Sequence, residues 1–149
     1  MKVSVACDHG AYDLKEAIKK HLEEKGIEYV DFGCNSKESV DYPRFAYAAA
    51  KAVANGEVDL GIICCTTGLG VSMAANKVKG VRAAVCTSTH LAEMTRRHNN
   101  ANVICMGQAV VSEELAFEMV DTFLSTEFEG GRHQRRVDLL TDIEEGKDI

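Results

Sequence analysis

The sequence has no tryptophan, a single proline and no long apolar segment. A membrane-spanning helix needs about 20 consecutive apolar residues, and no stretch approaches that length. The apolar run at the amino terminus is ended by Asp8 and His9, so it is too short for the core of a secretory signal peptide. We therefore expect a cytoplasmic protein that does not associate with a membrane.

Basic residues are also scarce. The 17 lysines and arginines are outnumbered by 23 aspartates and glutamates, which gives a formal net charge of −6 at pH 7. This balance disfavours general binding to nucleic acids or to anionic membrane surfaces, although a local basic cluster can still bind a small anion. We expect no nucleic-acid partner.

The sequence has six cysteines but no Cys-x-x-Cys pair. Cys64 and Cys65 are adjacent, so in a strand they point to opposite faces of the sheet. With no secretory signal we predict free thiols, and we expect no bound metal. Four of the cysteines lie in apolar runs, where a thiol acts as a small hydrophobic group: Cys7, Cys64, Cys86 and Cys105.

What the sequence does contain is an alternation of apolar runs with segments of helical spacing. The runs predict five strands, at 2–7, 27–32, 59–64, 81–86 and 102–106. The helical segments are 12–25, the stretch that Asp41 caps, the stretch from the glycine turn to about residue 77, 89–97, 113–124 and 132–145. The alternation indicates a single α/β domain, 1–149, with a parallel sheet covered on both faces. Ligands bind such sheets at the carboxyl ends of the strands.

The turn after the third predicted strand reads Cys65, Thr66, Thr67, Gly68, Leu69 and Gly70. Glycines let backbone N–H groups approach a ligand, and the start of a helix favours negative charge, so the turn predicts a site for a phosphate, a carboxylate or an oxyanion. The alternative is an ordinary tight turn. The turn lacks the third glycine of a dinucleotide motif, because Met73 stands there, and we expect no cofactor.

Cys65 stands at the start of this turn, where a thiolate can serve as a nucleophile or a general base. The alternative is a small buried hydrophobic group. Asp8 beside His9 suits proton transfer or hydroxyl binding, or a simple capped loop. His98 ends a helix, where an imidazolium also interacts favourably with the helix dipole.

Arg132 and Arg136 lie four residues apart in an otherwise acidic protein, so on a helix they share a face. Two arginines on one face suit a phosphate group. The alternative is a solvated basic stretch balanced by the acidic residues that follow it.

Seven short segments together resemble the family of ribose-5-phosphate isomerase B and the galactose-6-phosphate isomerase subunits. They occur in the family's order across nearly the whole chain: 6–10, 41–43, 65–70, 74–77, 80–83, 97–99 and 130–136. Some members of the family carry a catalytic glutamate after the second glycine of the turn. Val71 stands there in this chain, so the resemblance is to the members that use a cysteine as the base.

The resemblance implies a Rossmann-like three-layer sandwich with a five-stranded parallel sheet. It implies a metal-independent aldose–ketose isomerase that acts through an enediolate, with ribose 5-phosphate and ribulose 5-phosphate as the expected substrate and product. It also implies a homodimer, or a tetramer of two dimers, in which the C-terminal helix reaches the partner subunit and the active sites are shared.

The resemblance assigns roles residue by residue. Cys65 is the expected base, and Thr67 with the backbone amides of Gly68, Leu69 and Gly70 holds the enediolate oxygens. His98 opens the furanose ring with help from Asp8. The remaining expected substrate-binding residues are His9, Tyr42, Thr66, Asn99, Arg132 and Arg136, of which Asn99 and both arginines, with His98, come from the partner.

Two positions depart from the family's pattern. Thr66 stands where a glycine is usual, and Ala109 replaces an arginine that helps to hold the phosphate. Losing one charge-assisted contact costs about 1.5–3 kcal/mol. We therefore keep a second substrate class, a hexose 6-phosphate such as allose 6-phosphate or galactose 6-phosphate, or a free rare sugar.

Two further functions stay open from the sequence. One is a non-catalytic protein that binds sugar phosphates on the same fold. The other is a thiol redox or nucleotide-binding protein of flavodoxin-like shape, although the chain lacks the Cys-x-x-Cys pair and any complete nucleotide motif.

Overall fold

The computed structural model describes residues 1–149 and contains five strands, six α-helices and a short 3₁₀ turn at His9–Ala11. The strands are β1 (Lys2–Cys7), β2 (Glu28–Asp31), β3 (Leu60–Cys65), β4 (Ala83–Val85) and β5 (Val103–Gly107). The helices are α1 (Tyr12–Glu24), α2 (Tyr42–Ala54), α3 (Leu69–Ala75), α4 (Thr89–Asn99), α5 (Glu113–Ser125) and α6 (Arg132–Glu144). No helix is both long and apolar enough to cross a bilayer.

The strands form one sheet in the order β2-β1-β3-β5-β4, and every neighbouring pair is parallel. Ile62 of the central strand β3 lies between Val5 of β1 and Ile104 of β5. All six residues of β3 are buried, which explains why its sequence is apolar throughout rather than alternating. The predicted α/β class with a five-stranded parallel sheet is confirmed.

Helices cover both faces of the sheet. One apolar cluster joins the sheet to α1 and α5 through Leu14, Ile18 and Phe123. A second cluster joins the opposite face to α2 and α3 through Ala49 and Val71. The result is the expected three-layer sandwich, and α6 packs against α4 outside it.

Some element ends differ from the sequence prediction for local reasons. The helix after the glycine turn stops at Ala75 instead of about residue 77, because the side chain of Asn76 bonds the backbone of Ala83 at both its N–H and its carbonyl. The fourth strand begins only at Ala83, since Arg82 N–H donates to the Asn102 side chain instead of to a strand.

Two predicted helix boundaries also need correction. Helix α4 continues through His98 and ends at Asn99, followed by the capping residue Asn100, whose φ of 45° lies in the left-handed region. The predicted break at His98 is therefore wrong. Asp41 does occupy the residue before α2, but its side chain accepts no hydrogen bond from that helix.

A buried ion pair ties α1 to the end of β2. Lys15 is 1% exposed, and its Nζ lies 2.8 Å from both carboxylate oxygens of Asp31 and 2.6 Å from the Cys34 carbonyl. Burial opposes ionisation of Asp31, but the hydrogen bonds from Lys15 and Lys19 hold the pKa of its carboxyl below the usual value. The carbonyl of Gly33, which lies in the segment fixed by this ion pair, accepts a hydrogen bond from the N–H of Cys7, the residue directly before Asp8.

We expect Asp31→Asn to destabilise the protein by about 3 kcal/mol, because the buried Lys15 ammonium keeps only the more distant Glu16 carboxylate, 3.7 Å away. The matched control is Asp121→Asn, which removes a half-exposed carboxylate from His21 and should cost less than about 1 kcal/mol. Urea unfolding measures both. Since the pKa of Asp31 is lowered in the folded protein, the loss in free energy of unfolding caused by Asp31→Asn should be full above the usual aspartate pKa. It should shrink as the pH falls below that value. Equal effects of the two substitutions at pH 7 would contradict this account.

Candidate active site

The turn after β3 begins at Cys65, the last residue of that strand. The side chain is nearly buried, with 5% of the residue exposed, and its Sγ accepts a hydrogen bond from Gly68 N–H at 3.0 Å. Gly68 has a φ of 84°, and a Cβ there would lie 2.9 Å from the Met106 carbonyl carbon. Only glycine fits this position, so the turn can close on the cysteine sulfur.

The turn rests on the end of β5. Gln108 N–H donates to the Cys65 carbonyl and Ala109 N–H donates to the Thr66 carbonyl, both at 3.0 Å. A Cβ on Gly107 would lie 2.5 Å from the Thr67 carbonyl carbon, so the two backbones are in direct contact. This contact fixes the position of the whole turn.

The first turn of α3 presents backbone donors beside the cysteine. Leu69 N–H donates to the Thr67 hydroxyl oxygen at 3.2 Å, and the first bond along the helix runs from Ser72 N–H to the Gly68 carbonyl. The N–H of Gly70 comes before that first bond, as at any helix start. Since α3 has only seven residues, the capacity to bind an anion lies in these N–H groups more than in a helix dipole.

Tyr42 closes one side of the turn. It is the first residue of α2, and its ring packs against Gly70 so closely that a Cβ there would lie 2.8 Å from the ring. The residue is 38% exposed, so part of the ring faces solvent beside the turn. The structure therefore brings Tyr42 to the glycine turn.

Asp8 and His9 follow β1 at the same edge of the sheet. Asp8 is 8% exposed; its N–H donates to the Cys64 carbonyl and its carboxylate accepts from Gly10 N–H at 2.9 Å. Nδ1 of His9 accepts a hydrogen bond from Val40 N–H at 3.1 Å. A neutral imidazole with Nδ1 as acceptor carries its proton on Nε2, so His9 keeps one N–H donor for a ligand.

His98 and Asn99 lie at the other end of the sheet. Helix α4 starts after the carboxyl end of β4 and runs back along the sheet, so His98, its tenth residue, lies about 15 Å from that edge. The carbonyl of Asn99 accepts from Arg82, which precedes β4. The structure therefore does not bring His98 and Asn99 to Cys65 within one chain.

Arg136 lies with His98 rather than with Cys65. An open groove of about 400 Å³ is lined by Arg136, His98 and Asn99 together with His133. Arg132 is the exposed first residue of α6, one turn before Arg136. The predicted site residues thus fall into two groups, one at each end of the sheet.

Sequence reasoning missed two residues of the second group. The rings of His133 and His98 stack with centroids 4.3 Å apart and an angle of 9°. Oε1 of Glu129 lies 3.4 Å from His133 Nε2 and 3.8 Å from His98 Nε2. Burial, with the nearby His98 and Arg132, holds the pKa of His133 below its usual value. The spacing of Glu129 and His133, four residues apart, was the available sequence signal.

The other cysteines behave as expected. All six thiols are free. Burial raises the pKa of Cys7 to about 12, with the neighbouring Cys34 thiol adding to the effect, and burial raises the pKa of Cys86 to about 11. Burial also raises the pKa of Cys64 and Cys105, so these four stay protonated.

Comparison with known proteins places this arrangement in a family. The profile of the Ribose/Galactose Isomerase family matches residues 3–140. The chain belongs to the Ribose/Galactose Isomerase family. Ribose-5-phosphate isomerase B of Escherichia coli K12 is 49% identical over 144 residues, covering 97% of each chain.

Solved structures of the family agree with this fold. The structure of Clostridium thermocellum ribose-5-phosphate isomerase B superposes with a TM-score of 0.97 at 51% identity, over 98% of this chain and 99% of that one. The Mycoplasma genitalium enzyme, solved with bound ribulose-5-phosphate, gives a TM-score of 0.92 at 45% identity, over 97% and 96%. The predicted family and the reaction class, an aldose–ketose sugar-phosphate isomerase, are confirmed.

The two departures from the usual Ribose/Galactose Isomerase pattern have different surroundings. The Thr66 side chain lies directly over Gly10, where even a Cβ would collide with its hydroxyl, and beside Asp8. Gln108, next to Ala109, does not simply replace the missing arginine. Its side-chain oxygen accepts from Leu14 N–H at 2.9 Å and so caps α1.

The contact between Thr66 and Gly10 can be measured as a coupling energy. We expect Gly10→Ala to cost about 1–3 kcal/mol, because the new methyl group must displace the threonine side chain. In a Thr66→Gly background the same change should cost clearly less, since the nearest remaining atom is an Asp8 carboxylate oxygen at 3.3 Å. Urea unfolding of the parent, both single variants and the double variant gives the cycle. Equal costs in both backgrounds would show that Thr66 does not occupy this space.

Proposed function

We propose that this chain converts ribose 5-phosphate to ribulose 5-phosphate through an enediolate, with Cys65 as the base. The observation that supports this most strongly is the position of the Cys65 sulfur at the opening of a turn whose backbone N–H groups lie beside it. The relatives named ribose-5-phosphate isomerase B supply the substrate, because they match over nearly the full chain.

The proton transfer needs a base beside C2 and donors for the oxygens that become negative. Cys65 takes the C2 proton and returns it to C1, while the proton of the C2 hydroxyl passes to the C1 oxygen. The C1 aldehyde thereby becomes a hydroxyl and the C2 hydroxyl becomes a ketone. The amides of Gly68, Leu69 and Gly70 stabilise the enediolate oxygens, and those of Gly68 and Leu69 exchange their bonds to the Cys65 sulfur and the Thr67 hydroxyl for bonds to the substrate. Thr67 adds a hydroxyl, and no step uses a metal or a cofactor.

The sugar must also be opened and held. His98 exchanges a proton with the ring oxygen and the C1 hydroxyl, while Asp8 binds the hydroxyls on the Cys65 side. Tyr42 lines the sugar pocket, and Thr66 borders it next to Asp8. The phosphate is held by a remaining set of donors, which are His9, Asn99, Arg132 and Arg136.

Because these residues lie at opposite ends of one sheet, we propose that two chains share each site. Helix α6 carries Arg132 and Arg136, and it also exposes three apolar side chains, Leu139, Leu140 and Ile143, at 40%, 49% and 53%. A partner chain would cover this apolar surface and bring His98 to the Cys65 end of the first chain. The assembly is a homodimer, or a tetramer of two such dimers.

Cys65→Ala should reduce isomerisation by at least about 100-fold, because the base is lost. The matched control is Cys64→Ala, which removes the neighbouring sulfur on the opposite face and should retain activity. NMR in D₂O measures ketose formation and deuterium incorporation at the exchanging carbon. Full activity of Cys65→Ala would show that this residue is not the base. If the parent protein isomerises none of the sugars tried, the proposed isomerase activity is wrong.

A shared site predicts complementation between two inactive variants. A hybrid of one Cys65→Ala chain and one His98→Asn chain contains one intact site, so it should regain activity. Co-expression with two different tags and purification on both isolates the hybrid. The control hybrid pairs Cys65→Ala with Asp8→Asn. Because both changes lie at the same end of the sheet, each of its two sites carries one of them, and this hybrid should stay inactive. Inactivity of both hybrids would show that the site is not shared in this way.

A hexose 6-phosphate is the second candidate substrate. It is favoured by Ala109, which leaves the exposed segment after β5 without a charged group for a phosphate, and by Thr66 over Gly10. Comparing kcat/KM for ribose 5-phosphate, allose 6-phosphate, galactose 6-phosphate and free ribose decides between them. We expect the highest kcat/KM for ribose 5-phosphate. A higher kcat/KM for a hexose phosphate would show that the hexose phosphate is the preferred substrate.

A further inference from the structure

His98, Glu129 and His133 form a compact group, called here the His–Glu–His cluster. One ligand atom from each residue lies within 4.8 Å of the other two. The residues come from three parts of the fold: the last turn of α4, the segment before α6, and the first turn of α6. The function proposed above uses only His98, and it leaves Glu129 and His133 without a role.

One atom of the cluster lacks a partner. His133 is 7% exposed, and its Nε2 is buried with no hydrogen bond. Oε1 of Glu129 is 3.4 Å away but does not form a bond of acceptable geometry with it. Buried polar atoms are nearly always satisfied, so an orphaned imidazole nitrogen beside a carboxylate calls for an explanation.

We propose that the His–Glu–His cluster binds a divalent transition-metal ion of the Zn²⁺ class, and that the bound ion inhibits the enzyme by occupying His98. Two imidazoles and one carboxylate are a ligand set that Zn²⁺ prefers, with a water as the fourth ligand. Metal–ligand bonds of about 2.0–2.1 Å place tetrahedral ligand atoms about 3.3 Å apart.

The two spacings to the Glu129 carboxylate are near that value. Oε1 of Glu129 lies 3.4 Å from His133 Nε2 and 3.8 Å from His98 Nε2, so both nitrogens face the same carboxylate oxygen. Because a bound ion lies in the plane of each imidazole, the half-exposed His98 ring must turn out of its stack on His133 for both rings to bind the same ion. An ion between them would give the orphaned His133 nitrogen its partner.

The carboxylate is held in position by its surroundings. Glu129 N–H donates to the Arg97 carbonyl at 3.1 Å, and the Arg97 guanidinium lies 3.4 Å from Oε2. This leaves Oε1 directed toward the two imidazoles, as outer groups orient ligands in metal sites. The groove of about 400 Å³ beside His98 and His133 gives an ion and its water access from solvent.

The inhibition half of this inference rests on the proposed function, in which His98 opens the sugar ring. An Nε2 that is bound to a metal has no lone pair to accept a proton, so ring opening stops while the ion is present. Removal of the ion by a chelator restores the imidazole. The metal is therefore an inhibitor and not a cofactor.

Titration with Co²⁺ measures the binding half without reference to activity. We expect tag-free protein, first treated with EDTA, to bind one Co²⁺ per chain and to show the visible bands of four- or five-coordinate cobalt. Sulfur-to-cobalt charge-transfer bands should be absent, because no cysteine belongs to the cluster. Absence of visible bands, or bands with sulfur character, would overturn the site.

Two variants test the proposed metal ligands, and a third variant serves as the control. Glu129→Gln keeps the shape of the side chain, and His133→Phe keeps an aromatic ring stacked on His98. Each should weaken Co²⁺ binding by at least about tenfold, because even the loss of a group that only orients a metal ligand weakens metal binding by that factor. His21→Gln removes an imidazole that pairs with the Asp121 carboxylate but has no second histidine beside it. It should bind Co²⁺ like the parent. Unchanged affinity in both cluster variants would refute the assignment.

Activity assays then test the inhibition. Zn²⁺ should inhibit isomerisation by the parent, EDTA should reverse the effect, and His133→Phe should need at least about tenfold more Zn²⁺ for the same fractional inhibition. Cobalt binding by the cluster without inhibition by Zn²⁺ would overturn the inhibitory role. If the parent isomerises no sugar, the proposed function fails, while the Co²⁺ titration still decides whether the site exists.

Discussion

The close contact between two backbones, the turn after β3 and the end of β5, is the constraint on which the candidate site depends. Gly68 and Gly107 are the residues that permit it, because a side chain on either would collide with the facing main chain. Two main-chain hydrogen bonds from the start of the segment after β5 hold the turn in place. The Gly68 N–H is thereby directed at the Cys65 sulfur, and the next amides lie beside the same opening.

A second constraint comes from the direction of α4. In a parallel sheet each connecting helix starts at the carboxyl edge and returns to the amino edge, so its two ends serve different surfaces. Ser88 caps α4 near the edge that carries Cys65, whereas His98 comes ten residues later at the opposite edge. One chain thus holds two incomplete groups of polar residues, which is the physical basis for proposing a site shared between copies.

Much of the fold and part of the site follow from the sequence. The apolar run of β3 and the glycines after it predict a buried parallel strand and an anion-binding turn, because both depend on neighbours in sequence. The contact of Thr66 with Gly10 and the role of Gln108 in capping α1 depend on residues brought together only by the fold. The stacking of His98 on His133 joins two helices, and no local pattern specifies it.

The central claim is that Cys65 and the glycine turn of one chain face His98 and Arg136 of another across a single substrate. A crystal structure with a phosphorylated hydroxamate that mimics the enediolate of ribose 5-phosphate tests this most directly. The account predicts the hydroxamate oxygens against the amides of Gly68 to Gly70, close to the Cys65 sulfur, with His98 and Arg136 contributed by the partner. A hydroxamate held entirely by one chain, or bound away from Cys65, would contradict it.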